Sequence, residues 1–334
     1  MSLALRCARA LLCTSLLAGC TTLPSGDSRL VPEALEPLAT AIPSGALTVT
    51  YFGTTTLLLS DGAHAVMTDG FFSHPGGLWR LLLGQIEPNE ERIDAALKRG
   101  AVPSKIDAVL VTHSHHDHAL DSAIVALKKD AELLGSESVR NIALGQLSQK
   151  AFDRLRFSPI ELDTRRAVGS TFTVRAFGAA HSPHPLFEGP VKRPIAMPAH
   201  VRRFKMGDVY SFAVHHREGT LLLCSGLPTR PDQFDGVRAD VVFLSIGGLH
   251  QRDADLVRAM WAACVRATKA KVVIPVHWDD FTEPLNSPLV VMPKAFGNFE
   301  AVMEQLLELG RAEPRVRVRL LPPFEPFAVR ALLE

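Results

Sequence analysis

The stretch Thr112-His113-Ser114-His115-His116-Asp117-His118 gathers four histidines and one carboxylate within seven residues. It ends the segment Ile106 to Thr112, whose apolar and β-branched residues predict a buried strand. Side chains alternate between the faces of an extended chain, so His113 and His115 can point the same way, while Asp117 and His118 approach from the following turn. Because imidazole nitrogens and carboxylates are ligands of Zn²⁺, Fe and Mn²⁺, the stretch predicts a site for one or two metal ions.

Outward from this stretch, strand-like and helix-like patterns alternate along the chain. The predicted strands cover Leu47 to Tyr51, Thr55 to Leu59, Ala63 to Thr68, Ile106 to Thr112, Arg140 to Leu144, Thr171 to Phe177, Val209 to His215, Thr220 to Cys224, Ala239 to Ser245, Lys271 to Val276 and Val316 to Leu320. The predicted helices cover Glu90 to Arg99, Ala119 to Leu127, Leu147 to Leu155, Asp253 to Thr268 and Asn298 to Leu309. This order favours an α/β fold in which stacked sheets are covered by helices, with a long irregular insertion at Pro183 to Met206.

The histidine-rich stretch resembles the H-x-H-x-D-H signature of the metallo-β-lactamase superfamily. Ala179-Ala180-His181-Ser182 resembles the family's loop that supplies a third histidine, and Val272 to Trp278 resembles its late strand that ends in a histidine, here His277. Met67 to Phe72 resembles an early strand-to-loop element in which Asp69 supports the site without binding metal. The resemblance covers Leu47 to Trp278 and implies a four-layer αββα sandwich with the metals at one edge of the two sheets.

The resemblance also implies a set of ligands. The first metal would be held by His113, His115 and His181, and the second by Asp117, His118 and His277. The family's bridging aspartate has no counterpart, because the matching turn reads Cys224-Ser225-Gly226-Leu227 and leucine cannot bind metal. The loss of this negative charge predicts weaker binding of the second metal. Asp279 or Asp280 could compensate, although the alternative interpretation is a solvated pair at a strand end.

The chemistry that the resemblance implies is hydrolysis of an ester, lactone, amide or phosphodiester by metal-bound hydroxide. Asp117 would orient the attacking water, and His184 or His250 could donate a proton. His116 is expected to face away from the metals, with second-layer or surface contacts. The substrate is expected to be a small or lipid-like molecule, because Asp69 to Phe72 and Ile274 to Trp278 look closest to the branch of lactonases and N-acyl-phosphatidylethanolamine-type phosphodiesterases. The alternatives are a non-catalytic metal-holding module and a redox protein with two irons.

The N-terminus has the pattern of a bacterial lipoprotein. Arg6 and Arg9 precede the apolar run Ala10 to Ala18, which is too short to span a bilayer but suits a secretory signal. Leu17-Ala18-Gly19-Cys20 then resembles a lipobox, whose cysteine is lipidated after cleavage. We therefore expect a signal peptide at 1–19, a tether at 20–45 and a metallo-β-lactamase-fold domain at 46–334. The protein would be anchored in the cell envelope, at the outer membrane and facing the periplasm; the alternative is a cleaved signal with an incidental cysteine.

Composition bears on two questions: whether the protein binds nucleic acid, and whether its cysteines form a disulfide. The chain has 334 residues, a formal net charge of +1 and no basic run interleaved with aromatic residues, so nucleic acid is not an expected partner. Two of the five cysteines leave with the signal peptide and Cys20 carries lipid, which leaves Cys224 and Cys264 in the folded domain. One bridge is chemically permitted between them, but their apolar surroundings favour two free thiols. The oligomeric state stays open.

Overall fold

The computed structural model describes residues 42–182, 186–230, 232–250, 253–285 and 288–334. The strands are β1 (Thr48–Tyr51), β2 (Leu57–Ser60), β3 (Ala65–Thr68), β4 (Ala108–Leu110), β5 (Glu132–Gly135), β6 (Arg156–Pro159), β7 (Arg165–Val168), β8 (Phe172–Ala180), β9 (Val209–His216), β10 (Gly219–Cys224), β11 (Leu227–Pro228), β12 (Val241–Ser245), β13 (Val272–Val276), β14 (Arg317–Val318) and β15 (Pro326–Ala328). The helices are α1 (Leu78–Leu83), α2 (Glu90–Arg99), α3 (His116–Ala119), α4 (Ser122–Lys128), α5 (Glu137–Gln146), α6 (Gln149–Phe152), α7 (Ala254–Met260), α8 (Phe299–Ala312) and α9 (Val329–Leu333). A 3₁₀ turn lies at Val201–Arg203 and a π-helical turn at Trp261–Arg266. The predicted signal peptide, Cys20 and most of the predicted tether lie outside the described residues.

The described strands form two sheets. The first has the order β15-β1-β2-β3-β4-β5-β6, and β3 to β6 run parallel. The second has the order β11-β8-β9-β10-β12-β13-β14, with β7 paired to β8, and β10, β12, β13 and β14 run parallel. Because β8 and β10 are both antiparallel to β9, they point in the same direction. The carboxyl ends of β8, β10, β12 and β13 therefore lie at one edge of this sheet.

Three apolar cores separate four layers. Along β2, Leu57 and Leu59 face the second sheet, whereas Leu58 faces the helices α2, α4 and α5. Along β12, Phe243 faces the first sheet and Leu244 faces α7 and α8. This period of two is what a strand buried on both faces requires, and each such side chain contributes about 1.5–3 kcal/mol of burial. The predicted four-layer αββα sandwich is confirmed.

One predicted strand was wrong. Arg140 to Leu144 lies inside α5, which begins at Glu137 and is capped by Ser136, whose hydroxyl accepts the backbone N–H of Val139 at 3.4 Å. Val139, Ile142 and Ala143 then face the first helix-covered core with the spacing of a helix. Within so short an apolar run, helical and strand periodicity cannot be told apart, so the cap decides the outcome. Among the described helices, none has the length and apolarity needed to cross a bilayer.

The two remaining cysteines correct another expectation. Cys224, at the end of β10, and Cys264, in the π-helical turn after α7, form a disulfide in place of the two free thiols expected from their apolar surroundings. Leu222 and Cys224 point to the helix layer, whereas Leu223 faces the other sheet. Alternation along β10 thus places the Cys224 sulfur against the helix that packs on it. The bond attaches the start of the turn that carries Leu227 to the helix layer.

Replacement of both cysteines with alanine is expected to lower the free energy of unfolding by about 4 kcal/mol, because a cross-link closing a loop of 40 residues restricts the unfolded chain by roughly this amount. Urea unfolding of the parent and the double variant measures the difference. Cys224→Ala alone should cost nearly as much as the double replacement, since either change removes the same bond. Alkylation of both residues in the denatured, unreduced protein would contradict the disulfide.

Candidate metal centre

The predicted metal ligands and the supporting Asp69 lie just beyond the carboxyl ends of four strands. Asp69 follows β3, the histidine-rich stretch follows β4, His181 follows β8 and His277 follows β13. The two sheets are joined here, because the backbone N–H of Tyr210 on β9 donates to the carbonyl of Thr112 at 2.8 Å. The edge of the sandwich therefore collects side chains from both sheets around one place.

The chain turns sharply after His115. The backbone N–H groups of His118 and Ala119 both donate to the His115 carbonyl, at 3.2 and 2.9 Å, and α3 begins at His116. His113 and His115 lie before this turn, with an extended backbone at His115, and Asp117 and His118 lie after it. The turn divides the stretch into two sets of donors, as its spacing predicts.

His113, His115 and His181 form the first group, in which one donor atom from each residue lies within 4.8 Å of the others. Nε2 of His113 is 3.0 Å from Nδ1 of His115. The Nδ1–H of His181 donates to the carbonyl of Ser182 at 2.8 Å, so its Nε2 is the nitrogen available to a metal. All three donors are imidazole nitrogens, a combination that suits zinc, iron or copper better than calcium or magnesium.

Asp117, His118 and His277 form the second group. Its donor atoms make a nearly equilateral triangle: Oδ2 of Asp117 lies 3.4 Å from Nε2 of His118 and 3.3 Å from Nε2 of His277, and the two nitrogens are 3.2 Å apart. A tetrahedral zinc ion with ligands at about 2.0–2.1 Å needs donor atoms about 3.3 Å apart. The three donor atoms therefore have the spacing of three corners of a tetrahedron around one zinc ion.

The surroundings of the first group favour neutral imidazoles, the form that binds metal. Burial and the neighbouring imidazoles hold the pKa of His113 well below its usual value. Burial also holds the pKa of His115 well below, and that of His181 below, the usual value. A histidine must be neutral to coordinate a metal, so this group needs no proton to be removed near neutral pH.

Asp69 orients His118 from behind. Its Oδ2 lies 3.0 Å from Nδ1 of His118, and its Oδ1 accepts the backbone N–H of Thr112 at 2.7 Å. Burial lowers the pKa of His118, but the carboxylates of Asp117 and Asp69 outweigh this effect and raise it to about 10. The surroundings of His118 thus favour a positive charge. Because Asp69 holds Nδ1, the Nε2 of His118 points at Asp117 and His277.

Asp69→Asn is expected to weaken metal binding by about 10–100-fold, the usual cost of losing the carboxylate behind a metal-binding histidine. Competition with a metal-sensing chelator measures the affinity. Asp121→Asn is the matched control: Asp121 is equally buried, but it accepts backbone N–H groups from Phe72 and Ser73, at 2.7 and 2.6 Å, and forms no hydrogen bond with a histidine among the described residues. Equal losses of affinity in both variants would contradict the role of Asp69.

Leu227 lies beside both groups. It begins β11 and pairs with Ala180, the residue before His181. It lines a cavity of about 40 Å³ together with His113, His181 and His277. An aliphatic side chain therefore occupies the position at which the resemblance expects a bridging carboxylate. Asp117 is the one carboxylate among the six donors of the two groups.

Asp279 and Asp280 are not solvated: Asp279 is fully buried, and 9% of the surface of Asp280 is exposed. Asp279 accepts the Tyr51 hydroxyl at 2.6 Å and the Thr54 backbone N–H at 2.8 Å. The N–H of His277 donates to the Thr54 carbonyl at 2.7 Å, and His277 has a φ of +62°, which non-glycine residues rarely adopt. The interpretation as a solvated pair was wrong: Asp279 fixes the loop that carries His277. Neither carboxylate belongs to the two donor groups.

The other histidines singled out in the sequence divide three ways. His116 is buried, and its ring packs edge-on against Phe71 and Phe281, with centroids 6.1 and 5.7 Å apart. His116 belongs to neither donor group, and its burial excludes the surface position that was one of the two expectations. His250 is half-buried after β12 and does not line the cavity. His184 lies outside the described residues.

Two threonine hydroxyls at the site escaped sequence reasoning. The hydroxyls of Thr55 and Thr112 lie 2.9 and 3.1 Å from Nδ1 of His118. Thr112 adjoins the motif, but Thr55 stands in a run of three threonines whose spacing carries no signal. Gly247 also matters, because a Cβ there would lie 2.7 Å from Cγ of His277. The sequence allowed two interpretations of Gly247-Gly248, close approach of the backbone to the site or a simple turn, and the contact of Gly247 with His277 is the close approach.

Comparisons with known proteins agree with this architecture. The family model described as a beta-lactamase superfamily domain matches residues 64–278. Igni18, a metallo hydrolase from the archaeon Ignicoccus hospitalis, is 16% identical, with a TM-score of 0.53 over 84% of this chain and 97% of its own. The metallo-beta-lactamase fold protein YhfI from Bacillus subtilis is 15% identical, with a TM-score of 0.51 over 84% and 99%. An isothiocyanate hydrolase from Delia radicum gut bacteria is 15% identical, with a TM-score of 0.52 over 84% and 98%. The search of curated proteins gave no match.

Proposed function

This chain belongs to the beta-lactamase superfamily, and from that membership we propose that it is a metal-dependent hydrolase that uses zinc. Its fold is that of metallo-hydrolases. The observation that carries the proposal is the convergence of six donor atoms, in two groups, at one edge of the two sheets. The spacing of 3.2–3.4 Å within the second group supports a tetrahedral ion such as zinc. Iron or manganese would accept the same donor types.

The chemistry follows from what each side chain can do. A bound divalent metal would polarise a substrate oxygen and lower the pKa of a bound water towards neutrality. Asp117 directs Oδ2 at His118 and His277, and its Oδ1 lies 3.5 Å from Nδ1 of His116. As a buried hydrogen-bond acceptor, Asp117 would orient the attacking water. Asp69 would hold His118 in one orientation throughout the reaction.

The substrate that we propose is an ester, a lactone or a phosphodiester, carried on a small or lipid-like molecule. The cavity beside the donor groups is lined both by His113, His181 and His277 and by apolar side chains such as Leu227 and Met260. Such a site suits a polar reacting centre joined to an apolar group, since the apolar wall keeps water from the part that does not react.

The test combines metal content with turnover. Plasma mass spectrometry of the purified protein is expected to give one or two zinc ions per chain. Hydrolysis of a generic lactone or phosphodiester should be lost on chelation and restored by added zinc. Absence of bound metal after exposure to excess zinc would contradict the proposal.

A second candidate is a non-catalytic metal-holding lipoprotein of the same fold. Leu227 favours it, because a site without a bridging carboxylate holds two cations less tightly. Stable metal binding without turnover of any substrate in the panel would support this candidate over the hydrolase.

We also propose that the protein is anchored in the bacterial cell envelope, at the outer membrane and facing the periplasm, through lipid on Cys20. The lipobox-like quartet Leu17-Ala18-Gly19-Cys20 supports this proposal. Cells grown with a palmitate analogue should label the parent protein and leave Cys20→Ser unlabelled. Equal labelling of the two proteins would contradict the anchor.

A further inference from the structure

The helix α1 exposes an unusual amount of apolar surface. Trp79, Leu82 and Leu83 are 62%, 39% and 78% exposed, whereas Leu81 alone in this helix is buried. Trp79 lies three residues before Leu82 and four before Leu83, so their side chains share one face of the helix. A tryptophan and two leucines side by side in water are costly to the free protein, and such a patch marks a contact surface.

A basic segment lies directly beside this face. The Nε2–H of His200 donates to the carbonyl of Leu82 at 3.0 Å. Ile86, just beyond α1, exchanges two backbone hydrogen bonds with Ala199, at 2.8 and 2.9 Å. The 3₁₀ turn Val201–Arg203 is thereby held next to α1.

The charge of this neighbourhood is positive. Five lysines or arginines and no aspartate or glutamate stand between Gly189 and Gly207, in a chain whose formal net charge is only +1. Arg80, Arg202 and Arg203 are exposed, and none of the three forms an ion pair within the described part of the chain. Beyond the end of α1, the first acidic residue in the chain is the exposed Glu87.

From this juxtaposition we propose that α1 and the turn Val201–Arg203 form a surface that binds a phospholipid bilayer with anionic headgroups. Trp79 and the leucines would enter the boundary between headgroups and acyl chains, where an indole ring is most favourable. Arg80, Arg202 and Arg203 would meet the phosphates, each contributing on the order of 1 kcal/mol near an anionic surface. Three apolar side chains are far too few for a standard protein interface of about 800 Å² per partner.

The chain from Phe187 to Met206, which includes the turn Val201–Arg203, also contacts the histidine-rich stretch of the candidate metal centre. The backbone N–H of Ser114 donates to the carbonyl of Met206 at 3.0 Å, and its hydroxyl donates to the carbonyl of Lys205 at 2.6 Å. The ring of Phe187 lies 5.6 Å from that of His115. Binding through the outer side of the segment would therefore hold the donor groups close to the lipid surface. The surface itself requires neither hydrolysis nor lipid on Cys20.

The test uses tryptophan fluorescence of the full chain with vesicles. The protein has three tryptophans, of which Trp261 is fully buried and Trp278 is half-buried. Vesicles of equal parts phosphatidylcholine and phosphatidylglycerol should shift the emission to the blue, and brominated acyl chains should quench it. Trp79→Phe should abolish both changes, because Trp79 is the tryptophan in the proposed surface.

The charge is tested separately. Arg202→Glu with Arg203→Glu should weaken vesicle binding by at least about tenfold, and vesicles of phosphatidylcholine alone should bind the parent comparably weakly. Leu162→Ser, which removes a leucine that is 49% exposed elsewhere on the surface, should leave binding unchanged. Three results would overturn the proposal: an emission that vesicles do not alter, equal quenching in Trp79→Phe, or a blue shift that appears on concentration without vesicles, which indicates a second copy of the chain as the occupant.

Discussion

The double variant His113→Ala with His115→Ala is expected to lose the metal of the first group and to lower the rate of hydrolysis by about a thousandfold or more. The two rings supply two of the three donors of this group, and a single remaining nitrogen on His181 cannot retain an ion against water. The loss of rate follows because metal polarisation contributes several kcal/mol, and each 1.36 kcal/mol is about tenfold. Metal content and turnover of the same preparation measure both effects.

Folding should survive this double replacement. Both imidazoles are held neutral by burial, and each has another histidine as its nearest polar neighbour, so their removal leaves no buried charge without a partner. Circular dichroism and thermal unfolding of the metal-free protein check this point. His215→Ala is the control, since its ring contacts Thr220 at 2.9 Å, far from the site in the fold. Full activity and full metal content in the double variant would show that the site is wrongly assigned.

Leu227→Asp is expected to tighten binding of the second metal by about ten- to a hundredfold. Two unit charges about 4 Å apart attract by about 4 kcal/mol at an effective dielectric constant of 20, and the cost of burying the new carboxylate offsets part of this gain. The change introduces the charge beside His113, His181 and His277, which line the same cavity as Leu227. The number of ions bound as a function of free zinc measures the effect.

Leu227→Asn separates charge from shape, because asparagine matches aspartate in size and carries no charge. In the metal-free protein, Leu227→Asp should be less stable than Leu227→Asn, and added zinc should reverse that order. Equal zinc binding by the two variants would mean that the missing carboxylate does not limit the second site. A tightened second site with increased turnover would also favour the hydrolase over the metal-holding lipoprotein.

Much of the fold was predictable because many strands are apolar, β-branched runs bounded by turns. Phe172–Ala180 and Val209–His216, both covered by predicted strands, pair along most of their lengths, and the first part of β8 alternates between buried and more exposed residues. The errors arose where elements are short. Glu132–Gly135, of four residues, was missed, and part of α5 was assigned to a strand, since four or five residues do not establish a period.

The sequence by itself determined the histidine-rich stretch as a metal site, and its resemblance to the metallo-β-lactamase superfamily named the six donors that the structure brings into two groups. Only the tertiary structure decided what surrounds those donors. The disulfide joins residues 40 apart, and the Tyr51–Asp279 hydrogen bond joins residues 228 apart. No local pattern encodes such pairs, since the disulfide forms only after the helix layer has packed on the second sheet, and the Tyr51–Asp279 bond only after the two sheets have met.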